Sequence, residues 1–108
     1  MSRLKKLSAH ALVCTHKTCR KQGGRRAARE LKHALKEHKL RGRVLLSKVG
    51  CLGQCGRGPV VVIYPAGIWY GGVDQDCARK IVEQHLIEGR VVEKNLLHDM
   101  RDQKLRGA

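Results

Sequence analysis

The stretch Pro59-Val60-Val61-Val62-Ile63-Tyr64-Pro65-Ala66-Gly67-Ile68-Trp69-Tyr70 decides how the chain folds. Four consecutive aliphatics, Val60 to Ile63, suit a strand buried on both faces, which places it centrally in a sheet. Pro65-Ala66-Gly67 is a turn, so Ile68 to Tyr70 returns as the second arm of a hairpin. Working backwards, Gly50 to Gly58 holds four glycines and two cysteines in nine residues, a constrained loop. Arg43 to Val49 is β-rich and reads as a strand. Arg25 to Lys39 fits a helix: Ala27, Ala28, Leu31, Ala34 and Leu35 form one apolar stripe, with Arg26, Arg29, Lys32, Lys36 and Lys39 on other faces. Thr15 to Gly24 is a polar loop, preceded by a short strand over His10 to Val13. Working forwards, Asp74 caps a second helix over 75–88, and Gly89 ends it.

The order strand, helix, strand, strand, strand, helix predicts one α/β domain with a four-stranded mixed sheet and two principal helices. Its expected bounds are 10–92. Residues 1–9 read as a basic lead-in and 93–108 as a charged C-terminal tail. The longest apolar run, Val60 to Tyr64, is far short of the ~20 residues that cross a bilayer. The beginning of the chain lacks the apolar core of a secretory signal. The expectation is a cytoplasmic protein without membrane insertion.

Charge divides unevenly. Residues 1–50 carry fifteen basic and two acidic side chains, and residues 51–108 carry eight and seven, so nearly all of the +14 lies in the first half. Such asymmetry implies an acidic partner surface, which by charge alone is a protein, a nucleic acid or an anionic membrane.

Five cysteines narrow the function. Cys14 and Cys19 are separated by four intervening residues, Cys51 and Cys55 by three, and both pairs sit in loops that follow predicted strands. If the strands before them are neighbours, the loops meet at one end of the sheet. Four thiolates gathered in this way hold metal. The spacing is compatible with structural zinc and with a [2Fe–2S] cluster, whose four thiolates divide two per iron. Gly50, Gly53, Gly56 and Gly58 favour the cluster, because the backbone must pass close to inorganic sulfides. A dithiol or disulfide pair is the third alternative, weakened because neither pair is Cys-x-x-Cys. Cys77, on the second helix, reads as a structural cysteine. His16, between two cysteines, is unnecessary as a ligand.

The segments Val13-Cys14-Thr15-His16-Lys17-Thr18-Cys19, Val49-Gly50-Cys51-Leu52-Gly53-Gln54-Cys55-Gly56-Arg57-Gly58-Pro59-Val60-Val61-Val62 and Tyr64 to Tyr70 strongly resemble the thioredoxin-like [2Fe–2S] ferredoxins. That family includes the cluster domain of the small subunit of NADH dehydrogenases and hydrogenases. The resemblance covers roughly residues 10–92 and implies a thioredoxin-like fold. It also implies one [2Fe–2S] cluster per chain, held by Cys14, Cys19, Cys51 and Cys55, the first two on one iron and the last two on the other. The tight Cys14–Cys19 gap is similar to the dehydrogenase-subunit branch, whereas the basic first half differs from the acidic surface common among soluble ferredoxins.

The resulting expectation is a one-electron carrier, not an enzyme, whose partner is an acidic redox protein or redox-enzyme complex. A homodimer is compatible with this reading. The alternatives are a zinc-stabilised basic binding protein for nucleic acid or an acidic protein, and an electron-input or assembly subunit of a larger redox complex. Lys17, Arg20, Lys21 and Arg57 lie beside the expected ligands, where cations favour the more negative, reduced centre.

Overall fold

A computed structural model describes residues 7–14, 23–50 and 58–102. Strand β1 (Ala9–Cys14) is followed by helix α1 (Gly24–Glu37), β2 (Val44–Val49), β3 (Val61–Tyr64) and β4 (Ile68–Tyr70). Helix α2 (Gln75–Lys80) continues into a wider π-helical stretch over Ile81–Leu86, and β5 (Leu96–Asp99) comes last. The five strands lie in the order β2-β1-β3-β4-β5; β1 and β2 are parallel and the other pairs antiparallel. The architecture is α/β with a mixed sheet and two principal helices, as expected.

The strand count is five, not four. Leu96–Asp99, within the segment read as a charged tail, pairs with β4 and extends the sheet beyond residue 92. Its two leucines fall on opposite faces: Leu96 joins the helix-side core and Leu97 packs on the other side. Asn95 secures the entry to this strand, donating through its side chain to the carbonyls of Gly71 and Gly72 at 3.0 and 3.2 Å.

Alternation along the strands separates two apolar layers. On one face Ala11, Val13, Val44, Val61, Ile63, Ile68 and Tyr70 meet Ala27, Leu31, Ala34 and Leu35 of α1 and Ala78, Ile81 and Val82 of the second helix. The five α1 residues predicted to face inward are all buried. On the opposite face Cys14, Val60 and Val62 are buried, with Leu12, Tyr64, Trp69 and Leu97 packed around them. Val60 to Ile63 are therefore inaccessible on both sides, which accounts for an uninterrupted aliphatic run in the central strand.

Helix α1 starts after Gly23, whose φ of 101° lies in the left-handed region that glycine tolerates without strain. The β3–β4 turn depends on Gly67 (φ 73°): a Cβ there would stand 2.8 Å from that of Met100, which crosses the turn and accepts a hydrogen bond from Trp69 Nε1 at 3.2 Å. The predicted cap of α2 is present, with Asp74 accepting from the Cys77 N–H at 2.8 Å.

The two helices are joined by Arg79. Its guanidinium donates to Glu30 and Glu37 of α1, at 2.9 and 2.8 Å, and to Glu83 one turn further on, at 3.1 Å. Arg79 holds the Glu37 carboxyl below the usual carboxylate range, and the hydrogen bond from His38, followed by that from Arg79, does the same for Glu83.

Candidate metal centre

Cys14 is the last residue of β1 and is paired in register with Val49, the last residue of β2. Its N–H donates to the Val60 carbonyl at 3.1 Å, so the chain entering β3 lies on its other side. The segment carrying Cys51 and Cys55 therefore leaves the sheet on one side of Cys14 and rejoins it on the other. The segment carrying Cys19 continues from Cys14 itself. Parallel pairing of β1 with β2 brings the described ends of both cysteine segments to one end of the sheet, the neighbour relation that the spacing argument required.

Cys14 is 1% exposed, lies in apolar surroundings and is not in a disulfide. Its thiol has no hydrogen-bond partner among the described residues, which leaves a soft sulfur donor free for a metal in a low-dielectric setting. The chemistry of this donor fits an iron–thiolate bond. Cys19, Cys51 and Cys55 lie outside the described residues, as do His16, Lys17, Arg20, Lys21, Arg57, Gly53 and Gly56. Gly50 is described, and a Cβ there would meet nothing within 4 Å.

Cys77 belongs to the helix-side core, on the opposite face of the sheet from Cys14. Burial pushes its thiol up to about 11, with Asp74 contributing in the same direction. A thiol held this firmly in its neutral form is a packing group. Glu37, His38 and Glu83 also bring three donor atoms within 4.8 Å of one another. Arg79 bridges the two carboxylates of that cluster, which has the character of a helix-to-helix ion network. It spans separations of up to 49 residues, which no local sequence pattern reveals.

Trp69 and Tyr70 have different surroundings. Tyr70 is fully buried, whereas Trp69 is half-buried against Met100 on the Cys14 side of the sheet.

The sequence model of the thioredoxin-like [2Fe–2S] ferredoxins matches residues 2–86. The chain belongs to this family. A 2Fe–2S ferredoxin from Clostridium pasteurianum is 36% identical over 95 residues, covering 79% of this chain and 91% of that protein. Another from Aquifex aeolicus is 46% identical over 50 residues, covering 46% of this chain and 45% of that protein. A crystal structure of a thioredoxin-like [2Fe–2S] ferredoxin from Aquifex aeolicus superposes with a TM-score of 0.78 at 31% identity, covering 85% of this chain and 98% of the other. The ferredoxin is an electron carrier whose cofactor is a [2Fe–2S] cluster, and electron transfer requires redox partners. Among the described residues, no helix is long and apolar enough to cross a membrane.

Proposed function

We propose that Cys14 and Cys19 hold one iron of the cluster and Cys51 and Cys55 the other, and that the ferredoxin acts as a carrier without transforming a substrate. The observation that carries this reading is Cys14 itself: a buried, unbridged thiol at a strand end, with the second cysteine segment anchored on both sides of it at Val49 and Val60. When bound, the cluster accepts and returns a single electron.

The protein's own residues set the conditions for that exchange. Cys14 would fix one thiolate to the end of β1, which is paired with β2 at Val49 and bonded to the Val60 carbonyl. Val60, Val62 and Leu12 form an apolar wall that keeps water from its sulfur. Lys17, Arg20, Lys21 and Arg57, neighbours of the ligands in sequence, carry charge of the sign that favours the added electron, an effect that salt weakens. We place the protein in the cytoplasm, a reading supported by the unpaired thiol of Cys77, which suits a reducing compartment. Its partner is an acidic redox protein or redox-enzyme complex, a reading supported by the +14 charge, and a homodimer is compatible with it.

Reductive titration tests the function. Anaerobically purified protein is expected to take up one electron per chain from dithionite, with bleaching of its visible bands and recovery on reoxidation. Uptake of two electrons with release of two free thiols would identify a disulfide carrier and refute the cluster.

A further inference from the structure

We propose that the outer face of α1, carrying Arg25, Arg29, Lys32 and Lys36, is the docking surface for an acidic electron-transfer protein. The inference rests on the electron-carrier reading and names where the partner binds.

Residues 25, 29, 32 and 36 follow one another at steps of four, three and four, so they form a single stripe about 16 Å long at 1.5 Å per residue. At 100° per residue the centre of the stripe lies about 130° around the helix from the centre of the buried stripe of Ala27, Ala28, Leu31, Ala34 and Leu35. All four side chains are exposed, and Arg26 and Lys39 add further exposed charge beside them.

Two features separate this face from an ordinary solvated helix. The helix contains two carboxylates, Glu30 and Glu37, and Arg79 draws both towards the second helix. The outward stripe therefore has no anion interleaved with its cations, and none of its four residues makes an ion pair among the described residues. The stripe also works against the helix that bears it. Arg25 with Arg29, Arg29 with Lys32, and Lys32 with Lys36 are like-charged neighbours at repelling separations. The first turn contains Arg25 and Arg26 and no acidic residue, opposite to what the helix dipole favours. Lys36 in the last turn suits the dipole, but the first-turn arginines and the like-charge spacing oppose the helix, and an acidic partner relieves that repulsion.

The position suits electron exchange. The six-residue connection after α1 returns directly to the start of β2, with the Val44 N–H donating to the Leu40 carbonyl at 2.9 Å. The C-terminal end of α1 therefore lies at the strand-start end of the β1–β2 pair. Its N-terminal end, with Arg25 and Arg29, lies at the Cys14 end. A protein partner is favoured over nucleic acid because the exposed large apolar residues among those described are Ile87 and Met100, which provide no aromatic platform for bases.

The test follows reduction of the oxidised protein by the hydroquinone form of an acidic flavodoxin, using stopped flow. One electron leaves the flavin, which becomes the semiquinone, and enters the ferredoxin. The wild-type rate is expected to fall about tenfold or more between about 0.01 M and about 0.5 M salt. At low salt, Arg29→Glu with Lys32→Glu should slow it about tenfold, while Lys80→Glu with Lys94→Glu, the same charge change elsewhere, should slow it less than about threefold. Equal slowing by the two pairs would show that net charge, not the stripe, governs encounter and would overturn the proposal. So would a salt-indifferent wild-type rate, or stripe-dependent retention of duplex DNA at about 0.15 M salt with an unchanged flavodoxin rate. Dithionite bleaching of each variant separates the two levels: normal bleaching with failed docking removes the surface alone, whereas no bleaching of the wild type removes the electron-carrier reading and the docking proposal with it.

Discussion

Cys14→Ala is expected to lose most of the visible absorbance and most of the bound iron and sulfide, whereas Cys77→Ala keeps both. Alanine at residue 14 still fits among Val60, Val62 and Leu12 but offers no atom to a metal. Among the described residues the other cysteine is Cys77, which lies in the core on the other face of the sheet. Ligand binding to the folded state stabilises it, so Cys14→Ala should also melt at a clearly lower temperature than the cluster-loaded parent. Cys77→Ala removes only a small buried volume, at a cost of about 1 kcal/mol. Iron and sulfide analysis with far-ultraviolet circular dichroism on anaerobically prepared variants separates ligand loss from unfolding. A native spectrum in folded Cys14→Ala, with cluster loss in Cys77→Ala, would reverse the assignment.

Tyr70 should give the largest loss of stability among single core substitutions. It is the largest fully buried side chain among the described residues, and its hydroxyl accepts from the Val92 N–H at 3.0 Å while contacting His85 Nδ1 at 2.8 Å. With the backbone N–H as donor, the hydroxyl proton is available to Nδ1 of a neutral His85 whose own proton is on Nε2. Burial pushes the Tyr70 hydroxyl up to about 12 and holds His85 below its ordinary value of 6.5, with Arg101 acting on His85 in the same direction. Tyr70→Phe leaves the Val92 N–H unpaired and should cost about 2 kcal/mol. Tyr70→Ala should cost about 4 kcal/mol through the added cavity.

The pH dependence follows from the direction of the His85 shift. In the unfolded chain His85 takes up its proton as pH falls through about 6.5, while in the folded protein it resists until lower pH. Its contribution is thus complete above 6.5 and declines below that value. Thermal melts between pH 8 and pH 5, in about one-unit steps, should show a fall in wild type that His85→Gln reduces. An identical pH profile in the two proteins would exclude this role for His85.

What the sequence disclosed follows the range of the interactions concerned. The α1 stripe of Ala27, Leu31 and Ala34 and the aliphatic run Val60 to Ile63 are local patterns, and each lies where its periodicity puts it. The meeting of the cysteine segments was inferred by assuming that the first two strands are neighbours, which β1 and β2 are. Strand β5 is not legible in the sequence because it is a four-residue edge strand whose two leucines are adjacent rather than alternating with polar residues. Nor is the role of Arg79, because its partners Glu30 and Glu37 lie on another helix, and only the packed structure shows that it clears α1's outer face of carboxylates. Of the candidate ligands, Cys14 is placed directly; Cys19, Cys51 and Cys55 lie outside the described residues and rest on spacing and family membership.

The most direct test of the cluster-centred account is quantitative iron, acid-labile sulfide and zinc analysis of the full chain purified without oxygen. The account predicts that iron and sulfide each approach two per chain, with negligible zinc, as expected for a single [2Fe–2S] centre. One zinc per chain with no sulfide, persisting after anaerobic reconstitution with iron and sulfide, would contradict it.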